Sequence, residues 1–209
     1  MAAQQPQTVK PRNVVFDVGG VLLDWNPRYL YRKLFTEEAA MEHFLTHVCS
    51  YTWNLMQDAG RPFADGLVEL KSRYPEHAGM INAYHQRWEE MVAGEIAGSV
   101  AILSALRKRK VPLFAITNFS TEKFVQVERR YDFFRAFSGI VVSGEVRLIK
   151  PDPAIYLRLL HENRLKAGEC VFIDDSLINV RGAEAVGMHA IHFRSPAQLR
   201  DDLAQLELL

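Results

Sequence analysis

Five short apolar runs alternate with segments of helical spacing along this chain, and that alternation restricts the fold more than any other feature. The runs are Asn13 to Val18 (NVVFDV), Val111 to Ile116 (VPLFAI), Gly139 to Ser143 (GIVVS), Cys170 to Asp174 (CVFID) and Met188 to Phe193. Between and after them, apolar residues recur at helical intervals from Ser99 to Lys110, Thr121 to Arg130, Pro153 to Arg164, Leu177 to Val186 and Pro196 to Leu206. Proline opens the third of these helices, and Gly187 stands as the C-cap residue of the fourth. Continuous Val/Ile/Phe runs fit strands buried on both faces, and their alternation with helices implies a parallel sheet covered on both sides. The predicted fold class is therefore α/β, a three-layer Rossmann-like core. In such sheets ligands bind beyond the carboxyl ends of the strands, where this sequence places Asp17, Thr117 with Asn118, and Asp174 with Asp175.

The alternation is interrupted once. Between Trp25 and Gly98 no clear buried strand is visible, and the segment reads as helical and aromatic, with Tyr51, Trp53, Phe63, Tyr84 and Trp88. Gly60-Arg61-Pro62 predicts a break and a new helix start, and Gly94 with Gly98 a return hinge. At roughly 150 residues per domain, 209 residues amount to about 1.4 domains. The expected organisation is a core of residues 1–25 and 95–209 carrying a small all-helical cap, residues 26–94, inserted after the first strand. Most of the aromatics are expected to build the cap's own core. Trp25 is expected to border the site, and Arg28, Arg32, Arg61 and Trp53 are candidate substrate contacts.

Charge and cysteine content exclude several classes. Lys plus Arg and Asp plus Glu both number 25, so no long-range field favours nucleic acid or an anionic membrane. The one basic run, Arg107 to Lys110, reads as the cationic C-terminus of a helix. Two distant cysteines, Cys49 and Cys170, form no disulfide framework, which points to a reducing compartment, the cytoplasm. The N-terminal MAAQQPQ stretch has no apolar core, and no window approaches the ~20 apolar residues of a membrane span. Nothing in the sequence sets an oligomeric state.

A carboxylate can attack a phosphoryl group to form an acyl phosphate that water later hydrolyses, and Asp17 suits that role. Phosphoryl transfer also demands neutralisation of the phosphoryl oxygens. Mg²⁺ held by Asp17 and Asp175 would provide it, with Asp174 ligating through water or orienting its neighbour. Lys150 suits a cation shared by nucleophile and phosphate, and Thr117 with the Asn118 backbone suits phosphate oxygens. Asn179, four residues after Asp175, is placed to orient an acid. His43 and His47 stand four apart without a third ligand, and His189 and His192, three apart in a strand, face opposite ways.

In order, Asp17-x-Gly-Gly-Val, Thr117-Asn118, Lys150-Pro151 and Asp174-Asp175 resemble the four motifs of the haloacid dehalogenase superfamily of hydrolases. The likeness runs from about Asn13 to Phe193, and the insertion between the first two motifs matches the subgroup with a helical cap there. Within it the chain looks most like small bacterial sugar-phosphate phosphatases and the phosphatase domain of soluble epoxide hydrolase. The resemblance implies a Mg²⁺-dependent phosphatase of a small phosphorylated metabolite, possibly a sugar phosphate, with the Gly19 carbonyl as a further metal ligand. It also exposes a gap: most such phosphatases carry an acid two positions after the nucleophile, where this chain has Gly19. The glucose-1-phosphatase-like relatives share the gap. A general acid is worth ~10² to 10⁴ in rate, and Asp24 is the nearest substitute in sequence. Two alternatives stand beside the phosphatase: a metal-independent 2-haloacid dehalogenase using the same Asp17, and a non-catalytic member that binds a ligand or partner.

Overall fold

The computed structural model describes residues 10–209, so the N-terminal MAAQQPQ stretch lies outside the described residues. Among the described residues there are seven strands: β1 (Asn13–Phe16), β2 (Leu23–Trp25), β3 (Val92–Glu95), β4 (Leu113–Thr117), β5 (Gly139–Val142), β6 (Cys170–Asp174) and β7 (His189–His192). Five of them form one parallel sheet in the order β5-β4-β1-β6-β7. The chain builds outward from β1 through β4 to β5 and then crosses to β6 and β7 on the other side. The strand order thus reverses at β1, where an open α/β sheet forms its ligand crevice.

The helices are α1 (Arg28–Tyr31), α2 (Glu38–His47), α3 (Tyr51–Asp58), α4 (Phe63–Arg73), α5 (Ala78–Gln86), α6 (Ala97–Lys108), α7 (Thr121–Arg130), α8 (Ser143–Val146), α9 (Pro153–Glu162), α10 (Leu177–Ala185) and α11 (Pro196–Gln205). Successive strand residues point to opposite faces, and the burial follows that rule. Val14 and Phe16 of β1, with Val171 and Ile173 of β6, pack with Ile102 and Leu106 of α6 and Leu199 and Leu203 of α11. Val15 and Phe172, one residue over, pack instead with Ile155, Tyr156 and Leu159 of α9. The three layers expected from the alternation are therefore the observed ones. Local signals fix the helix starts: Ser120 and Ser195 cap α7 and α11, and Asp152 with Pro153 opens α9.

Between β1 and β4 the chain departs from expectation in one respect. Leu23–Trp25 and Val92–Glu95 pair as an antiparallel two-stranded ribbon with an irregularity between Asp24 and Trp25. Gly94, read as a hinge, sits inside this ribbon with φ +139°. Runs of three and four residues are too short for a period-of-two pattern to register, so the ribbon was invisible in the sequence. The five helices α1 to α5 lie between its strands. Their interior is aromatic: Tyr31 meets Phe44 at 5.0 Å between ring centroids, and Tyr84 meets Trp53 edge-on at 5.1 Å. Gly60, with φ +98°, makes the turn before α4 as the glycine-proline break predicts. Among the described residues no helix is long and apolar enough to cross a membrane.

Phe172 lies fully buried on the central strand β6, edge-on to Tyr156 at 5.4 Å. Phe172→Ala is expected to cost about 3–5 kcal/mol of unfolding free energy, measured by urea denaturation.

Candidate active site

The site begins where β1 stops. Asp17 follows its last residue, and the Val18 backbone N–H donates to Asp17 Oδ1 at 2.7 Å. The next residues coil tightly, with Leu22 and Leu23 N–H both donating to Val18 O, and Gly20 N–H donating to Leu23 O at 2.9 Å. Gly20 has φ +73°, and a Cβ there would lie 2.3 Å from Asp175 Oδ2. The glycine is thus required twice, for its conformation and for the close approach to that carboxylate. Gly19 differs: a Cβ at this position meets nothing within 4 Å.

Lys150 binds the site together. Its Nζ lies 2.8 Å from Asp17 Oδ1 and 2.7 Å from Asp174 Oδ2, and donates to Ile116 O at 3.2 Å, while the ring of Phe172 lies 5.4 Å away. All three ammonium protons are accounted for by these acceptors. Lys150 is in turn clamped by Asn118, whose Oδ1 accepts from the Lys150 N–H at 2.9 Å and whose Nδ2 donates to the Lys150 O at 3.1 Å. Asp174 is equally engaged: its Oδ1 accepts from Ser176 N–H at 2.8 Å, and Asn179 Nδ2 donates to both its oxygens at 3.1 and 3.2 Å. Burial pushes the Asp17 pKa well up, partly offset by Lys150 and reinforced by Asp174. Burial alone would lower the Lys150 pKa, but the two carboxylates more than compensate and raise it, so its charge is secure. Asp175 is also raised, by burial and by Asp174.

Asp17, Gly19, Asn118, Lys150, Asp175 and Asn179 line one cavity of about 460 Å³. Thr117 and Asp174 lie behind its wall, 1% and 0% exposed, so each acts on the cavity through neighbours. Trp25 lines it, as the sequence suggested. Asp24 does not. Both its oxygens accept from Tyr29 Oη, at 3.0 and 2.9 Å, and the cavity is lined by its neighbours Leu23 and Trp25, because alternate residues of a strand face opposite ways. The candidate substrate contacts are likewise placed elsewhere. Trp53 belongs to the aromatic interior and donates from Nε1 to Gly66 O, while Arg28, Arg32 and Arg61 are paired with Glu42, Glu38 and Glu69. His43 and His47 stack on each other at 4.3 Å.

Three groups at the cavity escaped the sequence reading: Tyr51, Ser120 and Asp58. Asp58 carried a signal, because it is an acid in the last turn of a helix, where the helix dipole disfavours negative charge. Burial pushes its pKa up to about 8, with the Ser120 backbone N–H opposing the shift.

Carboxylate oxygens of Asp17, Asp174 and Asp175 lie within 4.8 Å of one another. Three carboxylates face one ammonium, leaving a local excess of negative charge that an oxygen-seeking dication would offset. This is the only such His/Cys/Asp/Glu group among the described residues.

Lys150→Met leaves two buried carboxylates without the cation they share, at an expected cost of about 3–5 kcal/mol at pH 7, read by urea unfolding in chelator. Lys150 holds the Asp17 pKa down against burial, so its loss raises that folded pKa further and the variant's folded state gains protons before the parent's as pH falls. The deficit is therefore expected to shrink as pH drops from 7 toward the usual carboxylate range.

Comparison with known proteins agrees with this geometry. The family model described as haloacid dehalogenase-like hydrolase matches residues 11–187. The chain is 27% identical over 192 residues to the sesquiterpene phosphatase astK of Aspergillus oryzae, covering 92% of this chain and 94% of that one. It is 23% identical over 179 residues to the phosphorylated carbohydrates phosphatase of Thermotoga maritima, covering 86% and 83%. A HAD family enzyme from Bacteroides thetaiotaomicron, solved as a magnesium complex, shares the fold with a TM-score of 0.69 at 19% identity, over 89% of this chain and 94% of that one. The strand order, the carboxylates at the strand ends and the extent of the match place this chain in the haloacid dehalogenase-like hydrolase family, as a phosphatase-like hydrolase.

Proposed function

We propose that the protein is a Mg²⁺-dependent phosphatase that cleaves phosphomonoesters with an apolar body through an aspartyl-phosphate on Asp17. The observation that carries this reading is the buried Asp17–Lys150–Asp174 cluster opening, beside Asp175, into a cavity with aromatic walls. Asp17 Oδ1 is occupied by the Val18 N–H and Lys150, which leaves Oδ2 as the attacking atom. As the Asp17 oxygen bonds to phosphorus, the ester P–O bond breaks and its electron pair leaves on the alcohol oxygen, which takes a proton. Water then attacks phosphorus and releases the Asp17 carboxylate.

Asp17, Asp175 and the Gly19 carbonyl are the proposed ligands of Mg²⁺, which when bound supplies charge neutralisation to the phosphoryl oxygens. Asp174 is an orienting residue in this scheme, since Lys150, Ser176 and Asn179 already occupy its oxygens. The Asn118–Ser120 loop, which reaches the cavity, is assigned to the phosphate oxygens, with Thr117 behind it. The helices α1 to α5 and the turn after them, Trp88–Met91, serve as the cap, closing the cavity with Tyr51, Leu55 and Trp88.

The cavity wall favours a largely apolar substrate body over a sugar. Trp25, Leu55, Trp88, Val92 and Phe119 form a continuous apolar part of the wall, beside which Tyr51, Asn54 and Asp58 are the polar groups from the helical segment. Lys150 is the sole cation among the lining residues, so a second anionic group on the substrate has nowhere to pair. The likeness to a sesquiterpene phosphatase over nearly the whole chain supports an apolar substrate body.

Phosphate release from an isoprenyl monophosphate is expected to exceed that from glucose 6-phosphate at least tenfold in kcat/KM, to cease in chelator and to return with Mg²⁺. Asp17→Asn is expected to lose at least ~10³ of the rate, as removal of a covalent nucleophile does. Chloride release from 2-chloropropionate that survives chelation would establish the dehalogenase instead. Phosphate release unchanged in Asp17→Asn would refute any catalytic role for this site.

A further inference from the structure

The departing alcohol needs a proton, and the turn after Asp17 offers none: position 19 is glycine, and the space its Cβ would enter is open. Asp24 is on the far side of the ribbon, held by Tyr29. Among the residues lining the cavity, the remaining carboxyl outside the Asp17, Asp174 and Asp175 cluster is Asp58, on the last turn of α3.

We propose that Asp58 is the general acid that protonates the leaving oxygen and the general base that then activates water, doing from the helical segment what the residue at position 19 cannot. The inference rests on the phosphatase reading of the site. Its geometry is set by a relay of hydrogen bonds. Tyr84 Oη donates to Asn54 Oδ1 at 3.0 Å, which fixes the amide so that Asn54 Nδ2 donates to Asp58 Oδ2 at 2.8 Å. The backbone is anchored as well: Asp58 O accepts from Ser143 Oγ, and that same Oγ accepts from Phe119 N–H at 2.9 Å. Asp58 is thereby tied to the loop that follows β4, beside Asn118 and Ser120.

Burial favours its protonated form, against the Ser120 N–H, and no neighbouring charge reverses that. The titratable groups that interact with it are Tyr51 on its own helix and Tyr84 on α5, both neutral at pH 7. The surrounding cations are committed elsewhere or approach by their stems. Lys150 is held by Asp17 and Asp174, Arg61 by Gln57 and Glu69, and Arg147 meets the Gly60 turn through Cγ. A carboxyl pushed up to about 8 by burial holds its proton at neutral pH; Asp17 is raised by burial too, but it touches the Lys150 ammonium, which opposes that shift and favours its charged form. Two carboxyl groups in one cavity are thus driven to opposite roles by their surroundings.

The steps balance. The Asp58 proton passes to the ester oxygen as the P–O bond breaks and the Asp17–phosphorus bond forms. In the second half Asp58 takes a proton from water as the water oxygen bonds to phosphorus and the Asp17 carboxylate leaves, which restores both groups.

The test compares the first-turnover release of alcohol from an alkyl monophosphate and from p-nitrophenyl phosphate, whose leaving group needs little protonation. In Asp58→Asn the alkyl rate is expected to fall by ~10² to 10⁴ and the aryl rate by less than tenfold, with the aryl product appearing as a burst because the following hydrolysis lacks its base. In the unaltered chain, kcat/KM for the alkyl ester should decline above about pH 8, as Asp58 loses its proton, and Asp58→Asn should lack that limb. Adding Gly19→Asp to Asp58→Asn, where the open space admits it, is expected to restore alkyl turnover at least tenfold. Equal losses for both esters at an unchanged melting temperature, or no loss for either, would overturn the role of Asp58. If Asp58→Asn unfolds, Asp58→Ser is read by the same ratio. Absence of phosphate release from either ester in the unaltered chain would instead overturn the phosphatase reading.

Discussion

One ammonium group holds this site together. Lys150 Nζ touches Asp17 at the end of β1, Asp174 at the end of β6 and the Ile116 carbonyl on β4, so three adjacent strands meet on a single charge. Burying a lysine and two carboxylates carries a heavy desolvation cost, and only near-complete hydrogen bonding makes it tolerable. The surroundings supply that bonding. Asn118 clamps the Lys150 backbone on both sides, Asn179 and Ser176 occupy Asp174, and Val18 N–H meets Asp17. The sheet order places these strand ends side by side, and the ion cluster then fixes their spacing to within hydrogen-bond length.

Much of this was legible in the sequence, for reasons that differ by level. The five strands of the sheet were visible because strands buried on both faces must be apolar throughout, and their termini because polar residues cannot continue the run. Asp17, Lys150, Asn118 and Asp175 were legible because their types and order fit phosphoryl chemistry. The ribbon of β2 and β3 was not, being too short to show a period. Asp24 was chosen by nearness in sequence, which the alternation of the strand overrules: one residue to either side would have faced the cavity. Asp58 lies far from Asp17 along the chain, and only the fold brings it to the same cavity. Its trace was faint, a negative charge at the wrong end of a helix. The arginines proposed as substrate contacts are paired with glutamates within the helical segment, information that no spacing contains.

The cavity divides its labour by polarity. The strand ends contribute charge and hydrogen-bonding groups, fixed by the sheet. The aromatic and aliphatic wall, with Trp25, Leu55, Trp88 and Phe119, comes from the ribbon, the helical segment and the loop after β4, and contributes shape. Zero net charge over the chain is compatible with a strongly charged site because the imbalance is confined to a few ångströms around three carboxylates and one lysine.

The ribbon has a consequence for how such a chain can be rebuilt. Leu23 pairs with Glu95 and Trp25 with Val92, so the strand leaving the sheet and the strand returning to it run side by side as a stem. The residues from Asn26 to Met91 leave and rejoin the sheet through that stem, and they touch the rest of the chain through a few bonds such as Ser143 Oγ to Asp58 O and Phe63 N–H to Glu122. Exchanging that segment would replace Tyr51, Leu55 and Trp88 of the cavity wall while leaving Trp25, Val92 and Phe119, but it would also carry Asp58 away. A transplanted segment therefore has to bring its own proton donor, unless position 19 is changed at the same time to supply one.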